Sequence, residues 1–327
     1  MGTMKLMPGI DEMHLENAEA QDGSTARTLK EFIEYARKNA PAENEIIIIN
    51  GHGGSWSSFA PAKYNENSDM NIIEVAQAMK GQKAKLIYVH SCKMADIETF
   101  SELSQVADYV LASQLNEKYL STKFLNKTRV DISHPFSVLS ELTLNSDIAD
   151  IKVIAKHACN FTDTDKWYLS KTDTIFLEDW KISNNFVLVN SQYIDKLHES
   201  LNEFADKIIN SDSKDAYIKN IKTDIIKNLD PIIGSKYVYD LQRFLELIGN
   251  DISFSDDIKY VATRAKYALN SAIKKHYGTT RKKNHHGVSA QLPFSIGSSG
   301  YELRNSLNLS KKAPEWQKLC EAIATTE

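Results

Sequence analysis

Between residues 25 and 38 (TARTLKEFIEYARK) the apolar positions Leu29, Phe32, Ile33 and Ala36 recur at helical spacing, with charges on the opposite face. Pro41 ends that helix. Then the pattern changes. Ile46 to Ile49 are four consecutive β-branched residues, as expected of a strand buried on both faces in the middle of a parallel sheet. The run stops at Gly51-His52-Gly53-Gly54, where the backbone must turn tightly. A polar stretch leads to a short amphipathic helix carrying Ile72, Ile73, Val75, Ala76 and Met79. Residues 84 to 90 (AKLIYVH) form a second apolar strand that ends at Ser91-Cys92. A helix over roughly 95 to 106 and a strand at Tyr109 to Ala112 follow. Strand, crossover helix, strand, helix, strand is the order of a right-handed, largely parallel α/β sheet.

Beyond about residue 115 the pattern weakens. DTIFL and NFVLVN, within 172 to 190, read as extended pieces. From 191 to 275 helical periodicity dominates. A basic turn, RKKNHHG, leads into VSAQLPF, which reads as a final strand, placed at an edge by Pro293. The expected division is a catalytic core over 1–170 and a helical C-terminal region over 171–327 that returns a strand to the sheet. The two form one compact unit.

Composition narrows the function classes. The chain has 327 residues and a formal net charge of −4, so no charge bias points to nucleic acid or to an anionic membrane. No run of eighteen apolar residues is present, so no membrane span is expected. The first residues carry no apolar signal-peptide core, and removal of a leader would leave secretion open. Cys92, Cys159 and Cys320 are scattered and odd in number, which argues against a disulfide framework or a zinc ribbon.

Ligands on open α/β sheets sit beyond the carboxyl ends of the strands. His52 and Cys92 both lie just past such ends, forty residues apart, which is room for one crossover between neighbouring strands. A thiol that attacks an amide needs thiolate character and a partner that carries the proton to the leaving amine. Histidine titrates in the range where it can do so. The developing oxyanion needs fixed N–H donors, and Gly53 follows the histidine directly. Cys92 is expected to open a helix whose N-terminus lowers its pKa. Alone, such a cysteine is commonly inert core and such a histidine a loop residue. Together at matched strand ends they point to chemistry.

ARTLKEFIEYARKNAPAENEIIIINGHGGSW resembles the first block of the clostripain-like cysteine peptidases, where a helix and a strand lead into a His-Gly-Gly motif. HSCKMADIETFSELSQVADYVLASQ is similar to their second block, with Met94, Glu98 and the closing Ala-Ser-Gln at 112 to 114 in step. GVSAQLPF, Tyr301 and Trp316 are similar to the closing strand and trailing aromatic positions. The resemblance implies a caspase-like, mostly parallel sheet flanked by helices, and an endopeptidase acting on peptide or protein substrates. It makes His52 and Cys92 the dyad and the N–H groups of Gly53 and Cys92 the oxyanion donors. No organic cofactor is implied, and calcium is admitted; Phe161 to Asp165 is an acidic segment for it, but it lacks the full EF-hand pattern and reads first as a solvated loop.

The family commonly has an aspartate two residues before the cysteine, which favours Lys or Arg at P1. Here that position is His90, followed by Ser91, so these two are the substrate-pocket candidates and a cationic preference is in doubt. Asp69, Asp96 and Glu98 are alternatives for the absent charge, with helix-face roles favoured for the last two. His285 and His286 read as an exposed basic turn. His134, His157 and Cys159 lack further ligands at useful spacing, and the Lys-rich stretch 118–129 is either a basic surface loop or a site of self-cleavage. Two rivals stay open: a catalytically degenerate member that binds peptides or a partner through the same cleft, and a transpeptidase or hydrolase acting on a non-protein amide.

Overall fold

The structure, a computed structural model, describes residues 25–57, 59, 70–115, 185–232, 237–278, 285–292 and 298–325. Helix α1 (Ala26–Asn39) starts where the Thr25 hydroxyl accepts from the Thr28 N–H. Strand β1 (Ile46–Asn50) follows, then helix α2 (Ile72–Ala78), opened by a capping box in which Asn71 and Glu74 satisfy each other's backbone donors. Next come β2 (Ala84–His90), α3 (Ile97–Leu103) and β3 (Ala107–Ser113). β1, β2 and β3 pair in parallel, in the expected order.

Two further strands join antiparallel: β4 (Asn185–Asn190) beside β3, and beyond it the later strand Ile273–Gly278. The five-stranded sheet therefore runs β1-β2-β3-β4 and then Ile273–Gly278. Among the described residues the four isoleucines of β1 thus lie at a border of this sheet, and of them only Ile49 is buried. Periodicity reports how apolar a strand is, and not how many neighbours it has.

β2 is the strand with the apolar surroundings that were expected of β1. Ile87 and Val89 on one face join the main core with α2 and α3, while Leu86 and Tyr88 on the other join Leu111, Phe186 and Leu188. Alternate side chains face opposite sides, and burying each of these large side chains contributes roughly 1.5–3 kcal/mol.

Downstream lie α4 (Ile194–Ile209), α5 (Lys214–Asn220), β5 (Val238–Asp240), α6 (Leu241–Asn250) and α7 (Asp256–Ala272). They are followed by β6, the Ile273–Gly278 strand, then β7 (Ser289–Gln291), α8 (Ser298–Ser306), α9 (Asn308–Lys312) and α10 (Pro314–Thr325). Phe204, Phe244 and Trp316 lock α4, α6 and α10 together, with ring centroids 6.1 to 6.4 Å apart. The strand expected over 288–294 is the short β7, and it pairs with β5 instead of entering the five-stranded sheet. The strands that do return to that sheet are β4 and β6. β7 instead lies along the segment after Cys92, where the Ser289 N–H donates to the Ala95 carbonyl at 2.9 Å.

Candidate active site

The parallel register of β1 and β2 pairs Asn50 with His90. Each chain then runs two residues further, to His52 on one side and Cys92 on the other, so both emerge at one level from adjacent strands. Ser91 ties the two exits together: its buried hydroxyl donates to the Gly51 carbonyl at 2.6 Å. The bond joins the two loops at a residue that the sequence offers as a pocket candidate.

His52 is exposed and Cys92 partly exposed. Gly53 brings their loops into contact. A Cβ on Gly53 would lie 2.6 Å from the Cys92 carbonyl oxygen and 2.9 Å from Ser91 Cβ, closer than such atoms approach. The absence of a side chain here is what allows the His-Gly-Gly backbone to rest on the Cys92 turn.

Cys92 does not open a helix. It sits in a turn in which Lys93 has φ 57°, and α3 begins only at Ile97 with Asp96 as its N-cap. The turn is held instead by the end of β3: the Lys93 N–H donates to the Leu115 carbonyl at 3.0 Å, and the Ala95 N–H to that of Ser113 at 2.9 Å. The Thr99 N–H is taken by Asp96, so the helix terminus is satisfied away from the thiol.

Asp96 is fully buried, and its carboxylate also receives the Ser55 hydroxyl and the Trp56 N–H from the loop after His52. Glu98 is equally buried, 3.7 Å from Arg304. Burial raises the pKa of both carboxyl groups, and for Glu98 the nearby Asp96 adds to it while Arg304 opposes it. His90 is also buried; desolvation lowers its pKa to about 4, so the imidazole is neutral at physiological pH. Its ring leans on Tyr88, with centroids 5.2 Å apart.

A polar network beside the Cys92 turn was not visible in the sequence. Gln114 Nε2 donates to Asp240 Oδ2 at 2.9 Å, and its Oε1 accepts from Asn185 Nδ2 and the Gly287 N–H, both at 3.1 Å. Asp240 also meets His286, through the backbone N–H and through Nδ1 at 3.0 Å, and Asn185 bonds His276. The histidine pair read as an exposed basic turn is thus largely enclosed. His285 is buried, and the Asp240 hydrogen bond raises the pKa of His286. The Ala-Ser-Gln at 112 to 114 and the HHG at 285 to 287 were its only traces in the sequence.

Among the described residues no group of three or more His, Cys, Asp or Glu could hold a metal ion. Asp69, residues 118–129, His134, His157, Cys159 and Phe161 to Asp165 lie outside the described residues. Among the described residues, too, no helix is long and apolar enough to cross a membrane.

The sequence model of the Clostripain family (Peptidase_C11) matches residues 7–296. The chain belongs to the clostripain family. It is accordingly a member of a family of cysteine proteases, hydrolases whose chemistry needs no cofactor. No curated protein matches it in sequence. Its fold is similar to that of a secreted C11 cysteine protease from Bacteroides thetaiotaomicron in complex with an irreversible peptide inhibitor. That likeness has a TM-score of 0.63 at 16% identity and covers 90% of this chain and 79% of the other. An inactive zymogen C11 protease from Parabacteroides distasonis matches with a TM-score of 0.61 at 15% identity, over 95% of this chain and 82% of that one. A B. fragilis cysteine protease matches with a TM-score of 0.53 at 14% identity, over 77% and 96%. These likenesses support the caspase-like arrangement of this clostripain-family chain: a mostly parallel sheet, flanking helices and a helical C-terminus.

Proposed function

We propose that this chain is an endopeptidase in which Cys92 is the nucleophile and His52 its acid–base partner. The observation that carries the reading is the paired register of Asn50 and His90, which delivers both side chains from adjacent strand ends, with the loops in contact through Gly53 and the Cys92 carbonyl. The Cys92 Sγ attacks the peptide carbonyl after giving its proton to His52. The oxyanion is received by the N–H groups of Gly53 and Cys92. His52 then protonates the leaving amine as the C–N bond breaks, leaving a thioester. Water, deprotonated by His52, releases the acid and restores the thiol. A peptide substrate is in keeping with the inhibitor held by the Bacteroides relative.

His90 sets the specificity reading. A neutral, buried imidazole two residues before the nucleophile offers no fixed negative charge. This chain therefore does not prefer Lys or Arg at P1 and takes uncharged side chains there. For calcium, the described residues provide no cluster of three or more His, Cys, Asp or Glu.

Cleavage profiling of a mixed peptide library by mass spectrometry tests both readings, with wild type and Cys92→Ala compared, with and without calcium. Cleavage by wild type alone supports the assignment and reports P1 directly. Equal cleavage by the two proteins would remove Cys92 from the mechanism. No cleavage by wild type, together with no labelling of Cys92 by a peptidyl electrophile, would favour a peptide-binding cleft.

A further inference from the structure

Asp96 stands four residues after Cys92, and its two oxygens face different parts of the site. Oδ1 accepts from the Thr99 N–H at 2.6 Å and caps α3. Oδ2 accepts from the Ser55 hydroxyl at 2.7 Å and from the Trp56 N–H at 3.1 Å, both on the loop that leaves His52. Capping alone needs one acceptor, and Ser, Thr or Asn would supply it equally well. The second oxygen is what sets Asp apart here.

That oxygen holds an unfavourable conformation in place. Ser55 has φ 84°, a region that costs a residue with a side chain roughly 1–3 kcal/mol. Its hydroxyl and the next amide converge on one carboxylate oxygen in a site closed to water, where charge-assisted hydrogen bonds are strong. Both sides of the clasp are anchored. Trp56 is buried and donates its indole N–H to Gln291 Oε1 at 3.1 Å. Ala95, next to Asp96, is fixed by hydrogen bonds to Ser113 and Ser289.

We infer that Asp96 is a positioning residue, which fixes His52 against Cys92 by clasping the loop at Ser55 and Trp56. The inference rests on the His52–Cys92 reading. Asp96 acts through the loop and itself touches neither reacting group.

Site-resolved alkylation of Cys92 by iodoacetamide at about pH 6.5 separates the two claims, since an unassisted thiol is almost wholly protonated there. Wild type, His52→Ala, Asp96→Asn and Ser55→Ala are compared, with thermal melting as a control for folding. Asparagine keeps the helix cap but replaces one acceptor of the Asp96 carboxylate by a donor, so a merely structural Asp96 would show little change in thiol reactivity. The expected result is that His52→Ala slows alkylation by roughly tenfold or more. Asp96→Asn should give most of that loss, Ser55→Ala a smaller one, and Asp96→Asn combined with Ser55→Ala no more than Asp96→Asn alone. If peptide turnover is followed as well, kcat should fall while KM stays nearly constant. Equal rates for wild type and His52→Ala would overturn the dyad, and the inference with it. A slow His52→Ala beside a wild-type rate in Asp96→Asn would overturn the positioning role alone. If Asp96→Asn does not fold, a wild-type rate in Ser55→Ala decides against it in the same way.

Discussion

Gly53 and Cys92 are in backbone contact, so close that a methyl group on the Gly53 α-carbon would sit 2.6 Å from the Cys92 carbonyl oxygen. Gly53→Ala must push the histidine loop off the cysteine turn. The expected cost is about 1–3 kcal/mol of stability and about 100-fold in kcat/KM, because displacement of a reacting group by about an ångström is felt at that scale. Melting and turnover, measured together, check it; unchanged turnover would mean that the two loops move independently.

A second prediction concerns His90. Restoring a carboxylate with His90→Asp should raise the ratio of kcat/KM for Lys or Arg over uncharged P1 residues by about tenfold or more. Library profiling of wild type and variant reads that ratio. A wild type already confined to cleavage after Lys and Arg would show that another charge serves the pocket.

Gln114 gives a test of the network. Replacing it with Leu deprives Asp240 of a donor, and Asn185 and the Gly287 N–H of an acceptor, in a closed site. Leaving buried polar groups without partners costs about 1–3 kcal/mol each. Gln114→Leu should therefore lose about 3 kcal/mol or more in urea unfolding, whereas changes to the exposed face of α1 should stay within about 0.5 kcal/mol.

Acid stability follows from the buried histidines. Burial lowers His90 and His198 to about 4 in the folded protein, against about 6.5 in an unfolded chain. Between those values the unfolded state binds more protons. Their contribution is therefore whole above about pH 6.5 and is lost as the pH falls towards 4, by up to about 3 kcal/mol for each. Asp96 and Glu98, shifted upward by burial, act in the opposite sense over part of the same range. A difference removes them from view: wild type should lose stability relative to His198→Gln as the pH falls from about 6.5 to 4. A difference that stays constant with pH would show that His198 titrates normally.

The features legible in the sequence were those set by neighbours along the chain. β1, β2, β3 and the helices between them are local patterns, and the placing of His52 and Cys92 past strand ends follows from them. What the sequence hid depends on distant pairings. Ile46 to Ile49 read as the centre of a sheet because nothing nearby tells which strands flank them. Gln114 meets Asp240 across 126 residues, and His286 meets it across 46, so no spacing rule brings these groups together. Asp96 looked like one more charge on a helix face, because a cap that also holds a second loop has the same local signature as a cap that does not.

The hydrogen bond from Ser289 to Ala95 has a consequence for timing. Cys92 leaves the ribosome long before the residues that brace its turn from the C-terminal side. While synthesis is under way, a nascent chain can pair β1, β2 and β3, yet Gly287 and Ser289 have still to arrive, and Gln114 lacks Asp240 until late. The thiol thus meets its finished surroundings only once Asp240, Gly287 and Ser289 have been made. Until then the Cys92 turn has its support from β3 and not the bracing that Ser289 adds at Ala95.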